Sequence, residues 1–172
     1  MPLHRLYLQI YNIVFYFWSI IIQHSLMENI FTDEYFMRIA FTEAKAAFDK
    51  GEIPVGALIV ADNKIIAKAH NLTEALNDVT AHAEMQAITS GANSLGGKYL
   101  INCTLYVTLE PCTMCAGALY WSQISRVVFS ASDDKRGYRA AGGRLHPKTS
   151  VTNGIMEQEC SEIVTEFFKQ RR

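Results

Sequence analysis

The chain has 172 residues, 49% hydrophobic and 19% charged, with 16 basic and 17 acidic side chains and a net charge of −1. That composition suits one folded domain with a sizeable core better than two domains or a disordered chain. Bulk charge does not announce a nucleic-acid binder, so any such role has to rest on local patches.

Residues 6–22, LYLQIYNIVFYFWSIII, form an uncharged run at the lower edge of the length that spans a bilayer. Arg5 supplies a short basic flank. The run nevertheless exceeds an ordinary signal-peptide core, and no small-residue cleavage site follows it, so a secretory signal is not expected. Two readings stand: a membrane anchor, or an apolar extension of residues 1–26 upstream of a true start at Met27. The second is favoured because the periodic signals begin downstream, and residues 27–172 are expected to form the functional domain.

A first helix is predicted over about Asp33–Asp49, with Phe36, Ile39, Ala40, Ala44, Ala47 and Phe48 near the 3.6-residue period, Thr32 or Asp33 as cap and Gly51 as stop. IPVGALIVAD and KIIAKAH read as two strands around a turn at Asp62-Asn63-Lys64. TAHAEMQAI reads as a helix begun by Thr80, and TLYVTLE as a strand feeding a second helix from Pro111. SRVVFSA is a further buried strand, and GIMEQECSEIVTEFFKQ an amphipathic C-terminal helix. This order, α-β-β-α-β-α-β-α, predicts an α/β fold in which helices cover both faces of a mixed sheet.

Four cysteines, Cys103, Cys112, Cys115 and Cys160, are too few for a disulfide scaffold at this length, and the CxxC pair points to a reducing, cytoplasmic setting. Cys112 and Cys115 follow Pro111 at a helix start, where one face and the positive helix end favour two thiolates on one cation. His82 falls at another helix start, and Glu84 lies two positions on. Both serve one site only if that helix points at it end-on. Histidine and two cysteines give three protein donors, where a structural zinc takes four, so one coordination position is left for water and the site is expected to be catalytic. Glu84 is then free to move a proton. The competing reading is a structural zinc closed by Cys103, but Cys103 begins a strand and reads as a small core residue.

Basic residues cluster at Lys135, Arg136, Arg139, Arg144 and Lys148, and again at Lys169, Arg171 and Arg172. These suit phosphate contacts or a solvated surface. Tyr138, Phe167 and Phe168 are candidates for stacking on bases, with core packing as the competing reading.

HAEMQAI together with TLYVTLEPCTMCAGAL resembles the cytidine and nucleotide deaminase superfamily, whose zinc signature is H-x-E followed by P-C-x-x-C. Within it the chain resembles the bacterial tRNA-specific adenosine deaminases from about Phe31 to Arg172, through GEIPVGALIV, Asn71, RVVFSASDDKRG, LHP and EFFKQRR. The resemblance implies a three-layer α/β/α fold around a mixed sheet of about five strands. It implies one zinc per subunit on His82, Cys112 and Cys115, with Glu84 as proton shuttle. It further implies that Asn71 hydrogen-bonds the target base and that Pro54, Val55 and Gly56 help wall the pocket. The implied protein is a homodimer that acts on the anticodon loop of a tRNA and converts the wobble adenosine to inosine; Lys135 and Arg136, from the basic cluster, are the expected contacts to the phosphates of that stem-loop. Tyr120-Trp121 is similar to guanine deaminases instead, so deamination of a free base is the alternative. A noncatalytic RNA-binding module with structural zinc is the alternative of another class.

Overall fold

The computed structural model describes residues 15, 16, 18 and 30–171. Contacts divide the chain into two compact units, Met1–Thr32 and Asp33–Arg172. The apolar run and its expected anchor role lie, apart from Phe15, Tyr16 and Trp18, outside the described residues. Among those described, no helix is long and apolar enough to cross a membrane.

The second unit runs α1 (Asp33–Asp49), β1 (Gly56–Ala61), β2 (Lys64–His70), α2 (Ala83–Leu95), β3 (Cys103–Leu109), α3 (Thr113–Ser122), β4 (Arg126–Ala131), β5 (Ser150–Asn153) and α4 (Glu157–Lys169). The five strands form one sheet in the order β2-β1-β3-β4-β5. β1 is antiparallel to both β2 and β3, whereas β3, β4 and β5 are mutually parallel. The predicted turn between β1 and β2 is real, with φ of 48° at Asp62 and 59° at Asn63, the positive pair that a tight hairpin requires.

One layer consists of α1 and α4, which touch through the Phe48 and Phe167 rings at 5.9 Å between centroids. The other consists of α2 and α3. Burial on both faces explains why β1 and β4 are almost unbroken apolar runs rather than alternating ones. Between the sheet and α2 and α3, Ala57, Ile59, Leu105, Val107, Val127 and Phe129 pack with Ala83, Ala87, Ala116 and Leu119. Gly56 is where α1 comes closest: a Cβ there would lie 2.0 Å from the Ala40 carbonyl oxygen. Only glycine admits that approach.

Asp33 does more than begin α1. Its carboxylate accepts two bonds from Arg126, at 2.7 and 2.6 Å, and one from the Tyr106 hydroxyl at 2.9 Å, while Arg126 also donates to Thr152 on β5 at 3.0 Å. The Arg126 guanidinium holds the Asp33 carboxyl below the usual carboxylate range.

The sheet has the expected five strands, the fifth at residues 150–153, where periodicity does not reveal it. Two expectations need correction. α2 starts at Ala83 with His82 in the capping position, while Thr80 bonds to the Asp78 carboxylate at 2.7 Å instead. α3 starts at Thr113 with Cys112 in the capping position, so Pro111 stands one residue outside the helix.

Candidate active site

Two helix starts converge at the carboxyl ends of the strands. His82 and Cys112 each occupy the extended residue before the first turn, and neither makes a side-chain cap bond. Their side chains are thereby turned away from their own helices and toward each other. His82 Nδ1 lies 3.7 Å from Cys112 Sγ and 3.6 Å from Cys115 Sγ, and all three donor atoms fall within 4.8 Å of one another. A tetrahedral zinc with ~2.3 Å bonds to sulfur and ~2.0–2.1 Å to nitrogen needs a nitrogen–sulfur edge of about 3.5 Å. The donor set therefore fits zinc without rearrangement. Cys103 and Cys160 are buried and free, and among the described residues neither joins this cluster.

The cluster's protons are strongly redistributed. The Cys112 thiol is pushed down to about 4 by the hydrogen bond from Cys115, with His82 adding to the effect. Cys115, as the donor and as a buried group, is pushed up. The His82 pKa is raised, mainly by its bond to Cys112. One thiolate is thus already available beside imidazole, and metal binding takes the second. Glu84, 4% exposed and in the first turn of α2, reaches the Cys115 thiol. Burial pushes its carboxyl up to about 7. A carboxyl poised near neutrality beside a metal site suits proton transfer in both directions.

Asn71 follows directly on β2 and is buried. Its amide nitrogen donates to the Val55 carbonyl at 3.1 Å, and its side-chain oxygen accepts from the Ala83 amide at 3.2 Å. That second bond orients the carboxamide, leaving its NH2 to donate elsewhere. Pro54 and Val55 are buried beside it, with Val55 in the cluster that contains Ala83 and Val107. Gly56 donates to the Thr108 hydroxyl at 3.1 Å and faces α1.

The segment after β4 crosses the same end of the sheet. Gly137 bridges Cys112 through the backbone, and the Tyr138 amide donates to the Pro111 carbonyl at 2.8 Å. Lys135 and Arg136 are exposed; their amides donate to Asp133 at 3.0 and 2.9 Å, and neither side chain has a partner among the described residues. Arg139 differs from them. It pairs with Glu110 at 2.8 Å and lies over the Phe129 ring, which removes it from the free cations. Arg171 is likewise engaged, by the Gly51 carbonyl and the Phe167 ring. Tyr138 and Phe167 are core residues, not stacking platforms, and of the three expected stackers only Phe168 is exposed.

Sequence reasoning missed Glu52 and Glu110, both buried carboxylates. Glu110 stands next to Pro111 in the motif itself, and Glu52 sits inside an otherwise apolar stretch. Those neighbours were the available signal.

Residues 31–131 match the family described as the cytidine and deoxycytidylate deaminase zinc-binding region. The tRNA-specific adenosine deaminase of Aquifex aeolicus is 48% identical over 144 residues, covering 81% of this chain and 95% of that protein. A solved structure from work on A-to-I editing by tRNA:A34 deaminases superimposes with a TM-score of 0.71 at 41% identity, covering 75% of this chain and 98% of that one. A guanine deaminase structure from Bacillus subtilis aligns with a TM-score of 0.57 at 39% identity, over 64% of this chain and 68% of that chain.

Proposed function

The chain belongs to the cytidine and deoxycytidylate deaminase zinc-binding family, and on that premise we propose that it hydrolyses the wobble adenosine of a tRNA anticodon to inosine, releasing ammonia. The observation that carries this reading is a buried Glu84 beside three zinc donors at tetrahedral spacing, in a chain 48% identical to a tRNA-specific adenosine deaminase.

His82, Cys112 and Cys115 hold the metal, and zinc bound there supplies Lewis-acid activation of water. Glu84 takes a proton from the attacking water and returns it to the departing amino group, a cycle served by a carboxyl with pKa about 7. Asn71 offers its oriented NH2 to the base, and Pro54 and Val55 form the adjoining wall, to which Gly56, facing α1, adds only backbone. Flipping a base out of a loop costs a few kcal/mol, less than from a duplex. Lys135 and Arg136, exposed and without a side-chain partner among the described residues, are the cations assigned to its phosphates, and such contacts make binding salt-dependent.

The family reading also suggests a homodimer. Free cysteines among the described residues suit the cytoplasm. Tyr120-Trp121 favours a second reading, deamination of free guanine. In the structure these rings pack edge to face at 5.5 Å, and Tyr120 also meets His146 at 5.4 Å, which leaves Trp121 outermost. Ammonia release from a tRNA with adenosine at the wobble position, run beside free guanine and adenosine, separates the two. Turnover of guanine with tRNA untouched overturns the proposal.

A further inference from the structure

The loop between Asn71 and His82 carries a pocket residue at one end and a metal ligand at the other. Its base is closed by the Leu72 amide donating to the Ala81 carbonyl at 3.0 Å and by the Ala83 amide donating to Asn71. Its tip is exposed, with Val79 at 85%. Beneath its first turn lies Glu52, only 1% exposed and, among the described residues, without a basic partner. Oε1 accepts the Glu74 and Ala75 amides at 3.0 and 2.8 Å; Oε2 accepts the Thr73 hydroxyl and, again, the Glu74 amide, both at 3.1 Å.

A buried carboxylate without a counter-ion is costly unless its lone pairs are filled. Here donors from a single short segment fill them; Glu74, Ala75 and Leu76 are exposed, and the segment's other bonds are local ones, from the Leu76, Asn77 and Asp78 amides to the Leu72, Glu74 and Thr73 carbonyls. Glu52 itself is fixed, because its amide donates to the Ala47 carbonyl at the end of α1 at 3.0 Å and the chain continues through Pro54 and Val55 into β1. The Glu52 side chain thus ties the end of α1 to the first turn of the pocket-side loop, beside the backbone bond from Asn71 to Val55.

We propose that Glu52 is a positioning residue for the reaction, its buried carboxylate fixing the Thr73–Ala75 turn so that the loop beside Asn71 is shaped before substrate arrives. This rests on the deaminase reading above. Glu52 touches neither substrate nor metal, so its loss falls on binding: the loop must be ordered at the moment of association, at the expense of affinity. Hydrogen bonds to a charged group, each worth about tenfold or more in an equilibrium constant, set the scale.

The test uses the full zinc-loaded chain with Glu52→Ala, Glu52→Gln and Thr73→Ala. Three quantities are measured: zinc content, kcat and KM on an anticodon stem-loop with adenosine at the wobble position, and amide hydrogen exchange. Glu52→Ala is expected to keep its zinc, raise KM about 10-fold or more and leave kcat within about 3-fold. The Glu74 and Ala75 amides should exchange at least about tenfold faster while β1 and β3 stay protected. Glu52→Gln should fall between Glu52→Ala and the wild type, Thr73→Ala nearer the wild type. Because glutamine keeps the shape, it carries the test if alanine fails to fold. Unchanged exchange at Glu74 and Ala75, or a loss confined to kcat or zinc with KM unaltered, overturns the proposal. If the wild-type chain leaves the RNA untouched, the deaminase reading fails separately, and amide exchange still decides whether Glu52 holds the turn.

Discussion

Replacing Glu110 by glutamine keeps the side chain's shape and removes its charge. The wild-type side chain is 2% exposed and accepts the Asp133 and Arg139 amides at 3.2 and 3.1 Å, together with Arg139 Nε and Nη2 at 3.1 and 2.8 Å. Glutamine offers one oxygen to these four donors and turns an NH2 toward the rest. Bonds to a charged group contribute ~1.5–3 kcal/mol each, and a buried donor left unpaired costs ~1–3 kcal/mol. The Arg139 side chain is 46% exposed and returns to water when released, which discounts the ion-pair share. The net loss is expected at about 2–3 kcal/mol at neutral pH, a fall in Tm of roughly 5–10 °C for a chain of this size. Burial alone would raise the Glu110 pKa, but the bonds from Arg139 and the Asp133 amide outweigh it and hold the carboxyl below its ordinary value of 4.5. The stabilisation is therefore full above that ordinary value and is lost as pH falls through the lower, folded one. Urea unfolding of chelated wild type and variant should show a constant gap from neutral pH down to about 5 that closes in stronger acid. A gap below about 0.5 kcal/mol at neutral pH, or one that persists in acid, would refute the assigned role of the carboxylate.

Cys112→Ala should lose nearly all zinc by metal analysis, while Cys103→Ala and Cys160→Ala keep it; the reverse pattern would falsify the ligand set. Glu84→Ala should retain zinc and fold but lose about 10²–10⁴-fold in turnover, and single-turnover activity within a few-fold of wild type would remove it from the proton path. Gly56→Ala should destabilise by about 1–3 kcal/mol or more, since the new Cβ meets the Ala40 carbonyl at 2.0 Å and the Ala44 amide at 2.5 Å; thermal unfolding measures it. A chain beginning at Met27 should fold and deaminate, because every candidate site residue lies downstream, and an inactive or misfolded product would show that residues 1–26 are needed.

What the sequence displays well is local. α1, β1 to β4 and the metal donors follow from periodicity, turn residues and the spacing of His82, Glu84, Cys112 and Cys115. β5 stayed hidden because Ser150–Asn153 is short, polar and largely exposed, with its stability coming from a parallel neighbour. Helix starts were displaced by two residues for a related reason. Thr80 is a good cap by type, yet His82 and Cys112 occupy the caps with side chains reserved for each other. Charges misled most. Arg139 and Arg171 look like free surface cations along the chain, and Glu52 and Glu110 look like ordinary acidic residues, until partners as far as 120 positions away close around them.

Because β5 runs alongside β4 in the same direction, the chain leaving Ala131 cannot turn back on itself. It must travel the length of the strand before pairing again. Most such return journeys are made by a helix, but residues 132–149 make theirs in turns alone, beginning at the rim where the metal donors gather. A stretch of that length without regular structure is uncommon in a compact fold unless it has work to do. Here the wiring of the sheet obliges a long, adaptable strip of chain to pass the mouth of the site. Its anchors at Glu110 and Pro111 hold it there, while Asp134, Lys135 and Arg136 stand exposed between them.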